Sequence, residues 1–150
     1  MMHARRYPLL LSIKKEKVPL LFNLHGFTGT STSQLNYADF RDIADEEKFI
    51  LVYPQGTLLD GRDTHWNVGS WTLSSTTDDV EFFDMLIADL AENYNIDLDR
   101  VYATGHSNGG YMSFLLACQM LFKPAVLRAR GTEPLFSPAE CVGQTCVGRR

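Results

Sequence analysis

RVYATGHSNGGYMSFLLACQML, residues 100–121, decides the fold. Its first five residues form a short β-rich run, its middle sets a serine between two glycines, and its last part is an apolar stretch of helical length. A strand that turns through Gly105-His106-Ser107-Asn108-Gly109 into a helix fits G-x-S-x-G, in which a serine hydroxyl is held out at a tight, strained turn. Glycine is needed on either flank because a side chain there would collide with neighbouring elements. The five-residue pattern alone arises by chance in many chains; the strand before it and the helix after it make it informative.

Upstream, Val18 to Leu24 (VPLLFNL) and Phe49 to Tyr53 (FILVY) are further short apolar runs. Such runs without polar alternation read as strands buried on both faces, as in a parallel sheet. Between them Tyr37, Phe40, Ile43, Ala44 and Glu47 recur at helical spacing, with Thr32 or Ser33 available as the cap. Val80, Phe83, Ile87, Leu90 and Tyr94 predict a second helix, with Asp78 and Glu81 in capping-box relation at its start. Buried strands alternating with amphipathic helices define an α/β fold with right-handed crossovers. Gln55 to Thr77 shows neither period and carries Trp66 and Trp71, so it reads as a long loop with a functional use.

Composition narrows the function. With 45% hydrophobic and 21% charged residues, the 150 residues are ordinary globular material. A net charge of −4 and a pI near 5.5 leave no basic stripe for a phosphate backbone, so no nucleic-acid partner is expected. No apolar run approaches the roughly 20 residues of a membrane span. At the N-terminus Pro8 and the lysines Lys14, Lys15 and Lys17 break the only apolar stretch, so no clear signal peptide is read there. Cys118, Cys141 and Cys146 form neither a disulfide framework nor a zinc site, and Cys118 is expected to be an inert buried thiol.

The turn also carries an electrostatic device. The backbone N–H of Asn108 opens a helix, where the dipole favours a developing oxyanion. A second donor is expected from the loop after an earlier strand. His25-Gly26-Phe27-Thr28-Gly29 follows VPLLFNL, and the Phe27 N–H is the candidate.

PLLFNLHGFTG, ADEEKFILVYPQG, WNVGSW and DDVEFFDMLIADLAENYNIDLDRVYATGHSNGGYMSFLLAC resemble, in this order and spacing, the esterase group of polyhydroxybutyrate depolymerases, feruloyl esterases and acetylxylan esterases. The resemblance covers about residues 18–120. It implies an α/β-hydrolase fold, a parallel-sheet three-layer sandwich, here C-terminally incomplete. It implies a serine carboxylic-ester hydrolase working through an acyl-enzyme, extracellular or in the cell envelope, on a polyester or plant-polymer ester. Ser107 would be the nucleophile, Phe27 and Asn108 the oxyanion donors, and His25, Gly26, Gly105, His106 and Gly109 their support, with no cofactor and no metal.

In such folds the chain order is Ser, then Asp or Glu, then His. His3, His25, His65 and His106 all precede Ser107, so the triad acid and histidine are not found in this chain. Loss of a triad member typically costs on the order of 10⁴-fold in rate, and impaired activity is the expectation. The resemblance fades near Leu121, where composition changes: no aspartate follows Asp99, and three of the six prolines fall in the tail. Residues 1–120 are therefore read as the N-terminal part of a catalytic domain, and 121–150 as an atypical tail, frameshifted or truncated. The alternative is a degenerate, non-catalytic α/β-hydrolase module used for binding.

The remaining residues have plainer readings. His65 and Asp63 are taken as solvated surface and not as a metal pair. Trp66 and Trp71 either line the substrate cleft or pin the loop to the core. Asp78 and Asp79 are a helix cap and a first-turn residue. His25 is no general base, and His106 shapes the turn.

Overall fold

The computed structural model describes residues 16–69 and 72–119. The N-terminal stretch, Trp71, Cys141, Cys146 and the tail 121–150 lie outside the described residues.

Three parallel strands form the main sheet: β1 (Val18–Leu24), β2 (Ile50–Val52) and β5 (Ile96–Gly105), in the order β2-β1-β5. β1 is central, pairing Leu20–Phe22 with Ile50–Val52 on one side and Leu20–Leu24 with Val101–Gly105 on the other. That position explains its nearly unbroken apolar sequence, since a central parallel strand is covered on both faces. Leu20, Phe22 and Leu24 are buried in the core, where they join Phe83, Leu86, Ile87 and Leu90 of helix α3 (Asp79–Asn93) and Met112, Leu115 and Leu116 of helix α4 (Asn108–Gln119).

Side chains alternate across a strand. Phe22 meets Phe83 of α3 edge-on at 5.2 Å, while the adjacent Asn23 accepts a hydrogen bond from Gln34 of helix α1 (Ser31–Tyr37) at 2.8 Å. α1 and α3 therefore lie on opposite faces of the sheet, giving helix, sheet and helix layers. The α/β-hydrolase architecture expected from sequence is present in this part of the fold.

The region between β1 and β2 corrects one expectation. Instead of a single helix there are two short ones, α1 and α2 (Arg41–Glu47), separated at Ala38–Phe40. The cap is Thr30, not Thr32 or Ser33: its hydroxyl accepts from the Ser33 N–H, and the Ser33 hydroxyl returns the contact at the Thr30 N–H. The expected apolar stripe is broken: Tyr37 is 72% and Ile43 53% exposed, while Ala44 is buried and Phe40 half-buried. What ties α1 to the sheet is polar, through Gln34 and Asn23.

The expected long loop is likewise partly ordered. Thr57–Leu59 (β3) and Asp63–His65 (β4) form an antiparallel hairpin turned at Asp60-Gly61, both with positive φ. Asp-Gly is a strong signal for such a turn, but strands of three residues show no readable alternation. At α3 the Asp78 half of the expected capping box is present: Asp78 caps the helix by accepting from the Glu81 N–H at 2.9 Å.

Candidate active site

The strand order leaves a switch point. From β1 the chain runs to β2 on one side, and β5 pairs on the other, so the crevice in an open α/β sheet falls at the carboxyl ends of β1 and β5. Those ends are in register, Leu24 against Gly105, and the His106 N–H extends the pairing to the Leu24 carbonyl at 3.1 Å. The chain then reverses into α4 through Ser107, whose φ is +51° and which is exposed. A non-glycine residue in the left-handed region costs about 1–2 kcal/mol, so the turn is strained where the sequence places its serine. The Ser107 carbonyl already accepts from the Tyr111 N–H at 3.0 Å, which makes Ser107 the residue that opens the helix.

The glycines are required by close backbone approach. A Cβ on Gly109 would lie 2.4 Å from the Leu24 oxygen and 2.5 Å from the His25 oxygen. One on Gly105 would meet the Gly109 carbonyl at 2.6 to 2.7 Å and the Leu24 oxygen at 2.8 Å. One on Gly26 would stand 2.9 Å from His106 Nδ1 and 3.5 Å from the Ser107 Cβ. The loop after β1 and the serine turn are thereby packed together. Phe27 is 37% exposed on that loop. Thr28 beside it has φ +62° and donates its N–H to the Thr64 carbonyl of β4 at 2.8 Å.

Behind the turn lies a buried polar clamp that the motif did not reveal. The Asn108 side chain is fully buried and bonds the backbone of Trp66 twice, accepting from its N–H at 2.7 Å and donating to its carbonyl at 3.0 Å. The Trp66 indole N–H donates to the His25 carbonyl at 2.9 Å, and its ring lies 4.9 Å from the His25 imidazole. Trp66 has no exposed surface, so it pins the loop to the core and does not line a cleft, which corrects the cleft reading. Trp71 lies outside the described residues.

His25 is equally enclosed. Its Nδ1 faces the Gly26 carbonyl at 2.8 Å and its Nε2 faces the Gly56 N–H at 2.9 Å. A carbonyl only accepts and an amide N–H only donates, so the ring is the neutral Nδ1–H tautomer. Burial pushes its pKa below the ordinary histidine value, partly opposed by the bond to Gly26. Both nitrogens are engaged in structure.

His65 corrects another expectation. It is fully buried, not solvated, with Nδ1 at 3.1 Å from the Thr57 carbonyl and Nε2 at 2.7 Å from the Ser75 hydroxyl. Asp79 is also more than a first-turn residue: it is buried and accepts from the Asn67 N–H at 2.6 Å. Burial raises its pKa, against the lowering effect of that bond and of nearby His65. Cys118 is half-buried and disulfide-bonded, in place of the inert thiol expected. Among the described residues no group of three or more His, Cys, Asp or Glu is placed to hold a metal ion, and no helix is long and apolar enough to cross a membrane.

Residues 41–133, more than half of the chain and including the whole serine turn, match the profile of the prolyl oligopeptidase family. The chain belongs to that family. Within the prolyl oligopeptidase family's α/β-hydrolase framework, its relatives are named as esterases. The chain is 31% identical over 107 residues to the bifunctional acetylxylan esterase/xylanase XynS20E of Neocallimastix patriciarum, covering 71% of this chain and 15% of that protein. It is 29% identical over 146 residues to an acetylxylan esterase of Coprinopsis cinerea (89% and 38%) and 34% identical over 118 residues to feruloyl esterase B of Neurospora crassa (77% and 39%). The chain thus spans 15%, 38% and 39% of the lengths of these relatives. The acetylxylan and feruloyl esterase part of the sequence resemblance is reproduced; none of the three carries its polyhydroxybutyrate part.

Proposed function

We propose that this chain carries the nucleophile side of a serine carboxylic-ester hydrolase. The observation that supports this most is Ser107 itself: exposed, left-handed, between two sterically required glycines, at the carboxyl ends of two paired parallel strands. In the proposed reaction Ser107 Oγ adds to the ester carbonyl carbon. The carbonyl oxygen takes the negative charge and is held by the N–H groups of Asn108 and Phe27. The Ser107 proton passes to solvent water, collapse expels the alkoxide, which takes a proton from water to become the alcohol, and the acyl-serine left behind is hydrolysed by water to the acid and free Ser107.

The proton of Ser107 needs an acceptor. His25 and His65 have both ring nitrogens engaged, and no histidine follows Ser107 in the sequence. We therefore propose that these 150 residues, assayed alone, turn over slowly. The same point favours esters over amides. An amine leaves only when protonated, a task that falls to the imidazole in a full triad, whereas an alkoxide is a better leaving group. The substrate class we propose is an ester of a plant-polymer substituent or of a hydroxy acid, met outside the cell or in its envelope. That choice follows the family resemblance and the relatives' names.

The test is labelling with a fluorophosphonate probe, read by peptide mass spectrometry, beside Ser107→Ala. Slow adduct formation on Ser107, absent in the variant, is expected. Labelling no greater than in the variant would remove the claim that this chain is itself a competent enzyme, though not its family. Paired p-nitrophenyl ester and anilide substrates then separate ester from amide preference.

A further inference from the structure

Tyr37 ends α1, a helix whose one buried residue is Gln34, and its ring is 72% exposed. Core packing gives no reason for an aromatic side chain there. Its ring does have a partner: His106, the exposed residue immediately before Ser107, with centroids 5.0 Å apart and planes at 55°. His106 is in turn held against the loop after β1, its Nδ1 2.9 Å from where a Gly26 side chain would begin. Two exposed rings therefore meet at a tilt one residue from the serine, on a turn whose backbone is fixed by the glycine contacts. Each ring presents a flat, polarisable face, and the tilt leaves part of the tyrosine uncovered. Aromatic faces attract other flat rings, either offset or edge-on, at centroid separations of about 4.5–7 Å.

We propose that Tyr37 and His106 form a ring-binding ledge beside Ser107, selecting esters that carry a six-membered ring with an apolar face near the scissile carbonyl. Selection for such a substrate rests on the esterase reading; binding of the ring does not. A planar aryl acyl group and the C–H face of a sugar both supply the required surface. The ledge contributes to ground-state and transition-state binding alike, so Tyr37 is a specificity residue and not a catalytic one.

The test is a binding measurement on the Ser107→Ala chain, which prevents turnover, by NMR of the Tyr37 and His106 ring resonances. The probes are methyl cinnamate, an acetylated methyl xyloside and methyl butyrate. The expected result is that a ring-bearing ester shifts both sets of ring resonances and binds about three- to tenfold more weakly to Tyr37→Ala. Tyr37→Phe should bind as the parent does, and methyl butyrate should be indifferent to Tyr37. The stronger of the two ring probes identifies the source of the ring, aryl or sugar. Equal binding of both ring esters by Tyr37→Ala and its parent would overturn the ledge. Since Tyr37 is largely exposed, its removal should leave the fold intact, checked by the unchanged resonances of Trp66. Failure of the esterase reading shows separately, as absence of a Ser107 adduct in the unmodified chain.

Discussion

Asn108→Ala isolates the clamp behind the serine turn. The substitution keeps the backbone of the helix start and removes a side chain that is fully buried together with Trp66. It leaves the Trp66 N–H and carbonyl, now bonded at 2.7 and 3.0 Å, without partners in a site closed to water. Each buried unsatisfied group costs about 1–3 kcal/mol, so the pair costs about 2–6 kcal/mol. Domains of this kind are stable by only about 5–15 kcal/mol. With a urea slope of about 1–3 kcal/mol per molar, the midpoint should fall by roughly 2 M. The assay is urea unfolding followed by tryptophan fluorescence. A companion variant sharpens it. Asn108→Asp keeps the acceptor for the Trp66 N–H but turns a second carboxylate oxygen toward the Trp66 carbonyl. The buried carboxyl would have a folded pKa above its unfolded value, so its stabilising contribution is present at low pH and lost as pH rises through the folded pKa. Asn108→Asp should therefore recover stability on acidification while Asn108→Ala does not. A midpoint shift below about 0.3 M for Asn108→Ala would refute the reasoning, because the Trp66 backbone would then have found other partners.

Asp79→Asn should raise stability at neutral pH. Asp79 has a folded pKa raised by burial, so the stabilisation it gives is present below the unfolded value of 3.8 and lost as pH rises through the folded one; the variant should flatten the fall in urea midpoint that follows above pH 4. Gly109→Ala places a methyl group against two backbone carbonyl oxygens and should cost about 3 kcal/mol or more in unfolding free energy. Gly61→Ala, at a positive-φ turn with open space around it, should cost only about 1 kcal/mol, and equal costs would contradict the packing argument. Ser107→Gly should unfold at a higher temperature than Ser107→Ala by the equivalent of about 1 kcal/mol, since only glycine relieves the left-handed turn; identical melting would mean the turn is unstrained.

What could be read from sequence was what sterics and burial write locally. VPLLFNL announces a central strand because both of its faces are covered, and Gly105, Gly109 and Gly26 announce close backbone approach because nothing larger fits. The α3 cap at Asp78 lies three residues before the Glu81 N–H that donates to it and is equally local. The misses depend on partners beyond the reach of a helical or strand period, 8 to 42 residues away. The enclosure of His65 rests on Thr57 and Ser75, that of Asp79 on Asn67, and that of Trp66 on Asn108, 42 residues away. No period or motif encodes such pairs. The single helix expected between β1 and β2 failed for a related reason: its attachment to the sheet is the Gln34–Asn23 hydrogen bond, which a hydrophobic pattern does not register.

The pairing of β1 with β5 also bears on how the molecule is made. Leu24 and Gly105 stand about 80 residues apart in sequence, and the central strand cannot be completed until the later one exists. At a synthesis rate of about 5–20 residues per second, β1 waits roughly 4 to 16 s for that partner, with only β2 available earlier. During that interval an apolar strand has one unfilled edge, open to other nascent chains. The left-handed serine can be locked only after this closure, because the contacts that hold it belong to both strands. Translation speed between codons 24 and 105 should therefore govern the yield of folded protein more strongly than any change on the outer faces of the helices.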